Sequence, residues 1–306
     1  GYFHAVALGD VSSPTTTFNI VSAKATGTAI QLTGDTTNTQ TGQPSFGVVI
    51  TPNAGASYIS MLKATGGGAI SITGTSTTSS TNGVYLASVD ILSANGTIGI
   101  SGGTRGTYLS ANVNIGYKTG SSVTSDSGDI LFRGDSLNIT SGATVKTSGI
   151  ITASPETNSN QINLGAADSA GVLGLSATEL GSFYAGTFRA GVGNGTNTGD
   201  VVISANITPA NFSTLAIRTA GAVSEASSYA ITIANLGVSA GGNVSLAGQN
   251  NTTTLAITSS GTTPTVAYTE ATGGTYTPGT VDSISANFGV ITQYSVANAP
   301  TTGYLN

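Results

Sequence analysis

The side chains able to do acid–base or metal chemistry in this 306-residue chain are thirteen carboxylates and one histidine. The carboxylates are Asp10, Asp35, Asp90, Asp126, Asp129, Asp135, Glu156, Asp168, Glu179, Asp200, Glu225, Glu270 and Asp282. Cleaving a polysaccharide requires two such groups at fixed separation, often helped by Lys, Arg or a metal. Only Asp126, Asp129 and Asp135 lie close together, near Arg133. Asp129 precedes an alternating segment in the same way as Asp200 in Thr-Gly-Asp-Val-Val, a position where a carboxylate caps a turn. His4 alone cannot build a histidine metal site, and a Ser–His–Asp relay would depend wholly on it. There is no Cys, which removes disulfides, thiolate zinc sites and thiol catalysis. Neither the Gly-Gly-x-Gly-x-Asp calcium repeat nor an EF-hand loop occurs. Gly191, Gly193 and Gly195 sit among Asn and Thr with no strand before and helix after, so they read as turn formers rather than a dinucleotide loop. The expectation is a chain with no catalytic, cofactor-binding or metal-binding residues and no cofactor.

Other polar patterns have structural readings too. Asn-x-Ser/Thr sequons at Asn95, Asn138, Asn194, Asn206, Asn211, Asn243 and Asn251 read mostly as turn or ladder residues. The Thr-x-Thr pairs Thr75–Thr77 and Thr252–Thr254 are too irregularly spaced to form a flat water-ordering array.

The elements that would position these groups are short alternating strands bounded by Gly or Asn. They include GTAIQLTG (27–34), GGAISITG (67–74), NGTIGISGG (95–103), SGDILFRG (127–134), TGDVVISA (198–205), STLAIRTAG (213–221), SYAITIANLG (228–237), GGNVSLAG (241–248) and TTLAITSSG (253–261). Pairs such as Ile70–Ile72 and Ile98–Ile100 fall on one face by period two. Helical evidence is weak, and residues 176–186 read as a loop rather than one helical turn. The recurring cassette, its irregular insertions and its small aliphatic core pairs favour a solenoid over a sandwich. The expected fold is all-β: a right-handed single-stranded parallel β-helix over residues 1–262, with coils of roughly 20–28 residues. Residues 263–306, with Tyr268, Tyr276, Phe288, Tyr294 and Tyr304 and Pro264, Pro278 and Pro300, form a less regular β segment suited to a cap or an inter-subunit contact.

Charged residues are only 7% of the chain and net charge is −5. Its eight cations are scattered singly, so neither a nucleic-acid backbone nor an anionic membrane surface would be captured. No run of 18 apolar residues encodes a membrane span. The start, GYFHAVALGD, lacks the basic and apolar regions of a signal peptide.

The segment 161–225 resembles one found in filamentous haemagglutinin-like large exoproteins, bacterial surface adhesins of the two-partner-secretion type. The matching residues are Ile162–Gly165, Leu173–Ser176, Glu179, Leu180, Ala185–Arg189, Gly199–Ser204 and Leu215–Gly221. Residues 128–152 and 67–86 look like the coils that accompany it. The resemblance implies a right-handed parallel β-helix, export to the cell surface and roles in adhesion or biofilm. The chain then reads as an internal fragment of a secreted, extracellular adhesin and not an enzyme. It would be a rigid rod displaying loops (35–45, 104–122 and 186–198) for glycans or proteins of host or neighbouring cells. The alternatives are a subunit of a polymeric surface filament or layer, self-associating through residues 1–22 and 263–306, and a β-helical carbohydrate-active enzyme.

Overall fold

The computed structural model describes residues 3–8, 17–36, 45–51, 59–77, 81–116, 128–192, 197–286 and 293–297. The chain is nearly all β, and its long sheets are parallel and in register, the arrangement of a parallel β-helix. It divides into two compact units, one comprising residues 1–152 and 182–185, the other residues 153–181 and 186–306.

In the first unit each coil contributes one strand to each of three sheets. The first coil is β1 (Phe3–Leu8), β2 (Asn19–Ser22) and β3 (Thr28–Thr36). The second is β4 (Ser45–Ile50), β5 (Ser60–Ala64) and β6 (Ala69–Ser76). Then come β7 (Val84–Leu86), β8 (Val89–Ser93) and β9 (Ile98–Gly103), followed by β10 (Thr107–Leu109), β11 (Val113–Gly116) and β12 (Ile130–Gly134). β13 (Leu137–Ile139), β14 (Thr144–Lys146) and β15 (Ile150–Ser154) follow. The sheets run β1-β4-β7-β10-β13, β2-β5-β8-β11-β14 and β3-β6-β9-β12.

Alternation gives each strand one face for the interior, and register lines these residues up from coil to coil. Ile30, Ile70, Ile98 and Ile130 form one row, and Leu32, Ile72, Ile100 and Phe132 another. Opposite them run Ile20, Leu62, Ile91, Ile115 and Val145. Ile72, Leu62, Ile91 and Ile115 are wholly buried. Full burial of each such side chain contributes roughly 1.5–3 kcal/mol.

Where the third sheet meets the first, the interior closes to backbone contact. A Cβ on Gly34 would collide with the Gly47 carbonyl, one on Gly74 with the Gly83 carbonyl, and one on Gly83 with the Gly102 carbonyl. Only glycine permits this approach. Beyond the seam the space is lined by hydroxyls: Ser76 Oγ donates to the Ser45 carbonyl at 2.8 Å and lies 3.0 Å from Thr81 Oγ1.

The second unit begins with β16 (Gln161–Leu164), β17 (Val172–Leu175) and the one-turn helix α1 (Ala177–Gly181). The loop expected over 176–186 therefore starts with a helical turn. Glu179 holds it, its Oε2 accepting from both the backbone N and the Oγ of Ser176 at 2.7 Å, a capping box. β18 (Phe183–Tyr184) belongs to the first unit and pairs with β14. The second unit resumes with β19 (Thr187–Ala190), β20 (Val201–Ile203), β21 (Thr214–Arg218), β22 (Val223–Glu225), β23 (Thr232–Ala240), β24 (Val244–Ser259) and β25 (Thr265–Glu270). One sheet aligns Val201, Val223, Val244 and Val266, and the other aligns Phe188, Leu215, Leu236 and Leu255. Between Val201 and Val266 one coil takes 21 or 22 residues. In the first unit a coil takes from 23 residues (Val84 to Thr107) to 42 (Ile20 to Leu62), wider than the expected range. Insertions are accommodated at corners because each coil touches only its neighbours.

The loop expected over 104–122 is in part strand, since β10 and β11 lie within it, and β19 lies within 186–198. Part of the segment 263–306 lies outside the described residues. The segment supplies β25, β26 (Thr277–Pro278), the antiparallel pair β27 (Thr280–Val281) and β28 (Ile284–Ser285), and β29 (Gln293–Ala297), which pairs parallel with β25.

Two glycines of the same coil separate the seam from ordinary strand positions. Gly83→Ala, which forces backbone apart, should destabilise the protein by more than about 3 kcal/mol. Gly99→Ala, where a Cβ would meet nothing within 4 Å, should be neutral or stabilise by about 0.4–1 kcal/mol. Urea denaturation of both variants gives the comparison.

Candidate functional site

Two of the carboxylates considered for chemistry, Asp129 and Asp200, stand at corners, where they hold one coil to the next. Asp129 Oδ1 accepts from the backbone N of Ile150 at 2.9 Å. In the second unit Asp200 Oδ1 accepts from Ala222 N at 2.8 Å. The same corner carries a hydroxyl: Thr147 Oγ1 donates to the Gly128 carbonyl, and Thr219 Oγ1 to the Gly199 carbonyl. Each hydroxyl in turn accepts from the backbone N of Gly149 or Gly221 at 2.9 Å. A third copy substitutes Asn243 and Ser259, with Asn243 Oδ1 accepting from Thr265 N and Ser259 Oγ donating to the Gly242 carbonyl. In place of the local turn cap expected for Asp129 and Asp200, each carboxylate accepts from a backbone N–H on the next coil, 21 and 22 residues ahead. Asp168 accepts from Gly174 N at 2.8 Å.

Asp35 accepts from Thr75 Oγ1 and Asp90 from Asn114 Nδ2. Asp135 and Glu156 are half-buried and have partners. Asp10 and Asp126 lie outside the described residues, as do Gly193, Gly195 and Asn194. His4 is on β1, in register with Phe46. Among the sequons, Asn206 and Asn243 accept backbone N–H groups through Oδ1, and Asn211 donates to the Gly181 carbonyl. Thr252 is buried rather than on a surface array. Among the described residues no three His, Cys, Asp or Glu side chains gather as metal ligands.

Two acids stand inside the second unit. Glu225 occupies an interior row between Ile203 and Leu246, where its register neighbours are aliphatic. Its Oε2 accepts from Gly248 N and Asn250 Nδ2, both at 2.9 Å, while its buried Oε1 has no hydrogen-bond partner among the described residues. Glu270 Oε2 accepts from the Tyr268 hydroxyl at 2.6 Å, and that hydroxyl lies 3.0 Å from Thr252 Oγ1. Burial pushes both carboxyls above their ordinary value, against the smaller opposing effect of their hydrogen bonds. Burial also pushes the Tyr268 phenol up, with the adjacent Glu270 adding to the shift.

The third arrangement was not legible in the sequence. Along the outer face of one sheet, Arg189, Ala216, Gly237 and Ala256 fall in register. Three small residues leave a shallow channel, and the β27–β28 hairpin lies in it. Val281 and Ile284 pack on Ala216 and Ala256, all at most 3% exposed. A Cβ on Gly237 would approach both hairpin side chains to 3.1 Å. The hairpin turn is Asp282–Ser283, both with positive φ, 49° and 60°. Asp282 meets Arg189 in a two-pronged pair at 2.8 and 2.7 Å, and Arg218 Nε donates to the same carboxylate at 3.1 Å while its Nη2 reaches the Asp282 carbonyl. Burial alone would raise this carboxyl. The two guanidiniums, Arg189 first, together outweigh burial and hold it below the usual carboxylate range. The available signals were the small middle residues of Leu-Ala-Ile, Leu-Gly-Val and Leu-Ala-Ile in three successive coils.

These groups give opposite pH dependences. Glu225 and Glu270 have raised folded pKa values, so their contribution is full below about pH 4.5 and is lost as pH rises through the folded values. Asp282 has a lowered value, so its contribution is full above about pH 3.8 and is lost as pH falls through the folded value. Glu225→Gln should flatten the alkaline side of the melting-temperature profile and leave the acid side unchanged. Asp282→Asn should flatten the acid side and cost roughly 1–3 kcal/mol at neutral pH. Thermal melts across pH 3–9 read both.

Comparison with known proteins does not place the chain: no family model, curated protein or solved structure matches it.

Proposed function

We propose that this chain is a structural and adhesive module of a large bacterial surface protein of the filamentous haemagglutinin-like kind, a stiff coiled scaffold displaying its outer surface to glycans or proteins of other cells. The observation that carries the reading is the repeated corner. The same carboxylate–hydroxyl–glycine arrangement recurs at 128–150 and 199–222, with an Asn–Ser version at 242–265. Side chains with catalytic potential there hold backbone, which suits a durable scaffold. Corner residues of this kind act chiefly on local opening and hence on resistance to proteases.

A second reading, a subunit of a surface filament or layer, is favoured by the first coil. Val6, Leu8, Ile20 and Leu32 point inward yet stay half-buried, whereas their register neighbours Val48, Ile50, Leu62 and Ile72 are at 0% exposure. Among the described residues the outer edges of β1, β2 and β3 are unpaired, and unpaired edges template association. The third reading, a β-helical carbohydrate-active enzyme, lacks a comparable supporting observation. No helix among the described residues is long and apolar enough to cross a membrane.

The purified chain, immobilised on beads, should retain cells or extracellular matrix. It should survive trypsin far longer than an Asp129→Ala/Asp200→Ala variant, and it should release no reducing ends from polysaccharides. Retention of neither cells nor matrix overturns the adhesive reading, and reducing-end release supports the enzyme reading. Sedimentation of the unattached chain as a concentration-dependent polymer favours the filament.

A further inference from the structure

The β27–β28 hairpin lies across coils that do not otherwise touch one another. Before it, β26 pairs with β24 as the next strand of the sheet, and Gly279 N donates to the Leu255 carbonyl. The chain then turns back over strands already laid down. Val281 and Ile284 rest on Ala256 of β24 and Ala216 of β21, beside Gly237 of β23. Asp282, at the tip, reaches Arg218 at the end of β21 and Arg189 on β19. β19, β21, β23 and β24 are successive neighbours in the sheet, so one short hairpin spans four coils.

In a solenoid each coil touches only its neighbours, and opening spreads from an end one coil at a time. A contact that skips coils changes this. The strands of β24 and β23 open only after the hairpin lifts, because it joins them to β21 and β19. The hairpin has little stability of its own. Its strands are two residues each, one hydroxyl contact (Thr280 Oγ1 to Ser285 Oγ, 2.8 Å) closes its base, and both turn residues hold left-handed backbone. Its position is therefore set by the sheet beneath, above all by the two-pronged pair with Arg189. Asp282 is the single ionisable group of the hairpin, and Arg189 and Arg218 are the only ones on β19, β21, β23 and β24. Their register neighbours Ser239 and Thr258 do not titrate.

We propose that the hairpin at 280–285 is a strap, latched by Asp282 on Arg189 and Arg218, that makes the coils of β19, β21, β23 and β24 open as one cooperative unit and frees them to open coil by coil in acid. Protonation of one carboxylate controls it. The guanidiniums hold that carboxyl below the usual range, so the latch is fully closed above about pH 3.8 and is lost as pH falls through the folded value. The strap is independent of the adhesive reading above.

Hydrogen exchange of the whole chain, read by mass spectrometry and corrected for intrinsic rates, tests it in the segments 214–218, 235–239 and 254–258. At neutral pH the three should exchange through one shared opening. In Asp282→Asn, whose side chain tolerates the same backbone conformation, they should separate, with 254–258 at least tenfold faster and 214–218 changed least. The gap between the unaltered chain and this variant should narrow as pH falls below about 3.8. Should Asp282→Asn fail to fold, Arg189→Gln carries the test: it keeps the Asp282–Arg218 pair, and it should separate the segments in the same order and show the same narrowing. Segments that already exchange coil by coil in the unaltered chain overturn the strap. So do variants that leave the shared opening intact, and a gap that persists unchanged down to about pH 2.

Discussion

Parallel pairing between consecutive coils is the constraint from which the remaining features follow. Each strand donates and accepts along both edges only if its neighbours keep one direction and one register. A slip of one residue would turn Ile70 and Ile72 outward and bring Ser71 and Thr73 inside. The aliphatic rows therefore keep register, and register keeps the backbone bonded. Corners are the vulnerable points, because the chain leaves the ladder there and its N–H groups need other acceptors. Asp129, Asp200 and Asn243 provide them across a coil boundary. The nearby hydroxyls of Thr147, Thr219 and Ser259 bond to a carbonyl of the preceding coil.

Against this background the departures from aliphatic filling are informative. Glu225 replaces an aliphatic residue in an interior row, and Asn250 follows it inside. Glu270, Tyr268 and Thr252 continue the polar interior into the next coil. Burial pushes both carboxyls above their ordinary value, and each accepts hydrogen bonds from neighbouring polar groups. The opposite solution appears on the outer face, where Asp282 stays charged because two arginines converge on it. One unit thus contains carboxyls that burial shifts up and another that two guanidiniums shift down.

Strands and class of fold were legible because alternation and glycine punctuation are local signals. The positions of Asp129 and Asp200, between Gly and an apolar strand, were legible for the same reason, but their bonds to the next coil were not, because the acceptor and donor are 21 or 22 residues apart. The helical turn at Ala177–Gly181 was not chosen, although Ser176 and Glu179 had capping-box spacing; five residues offer too little periodicity to outweigh a loop. The hairpin at 280–285 was hidden because its two left-handed positions are filled by Asp282 and Ser283 rather than by the Asn-Gly pair that usually marks such a turn. Its receiving channel was hidden because it is assembled from three strands. The glycine seam was equally non-local: Gly34, Gly47, Gly74 and Gly83 read singly as turn residues, and only stacking shows their backbones touching.

The corners also bear on how such a chain can change length over evolutionary time. Asp200 reaches 22 residues ahead to Ala222, and Asn243 reaches 22 residues ahead to Thr265. A duplication or loss of one such interval would leave an acceptor, a hydroxyl and a glycine in the places their new neighbours require. A gain or loss of a few residues at the same point would strand all three. Genes encoding this architecture can therefore lengthen or shorten by whole turns with little structural damage, so variation in coil number is expected to be tolerated where small insertions at these corners are not.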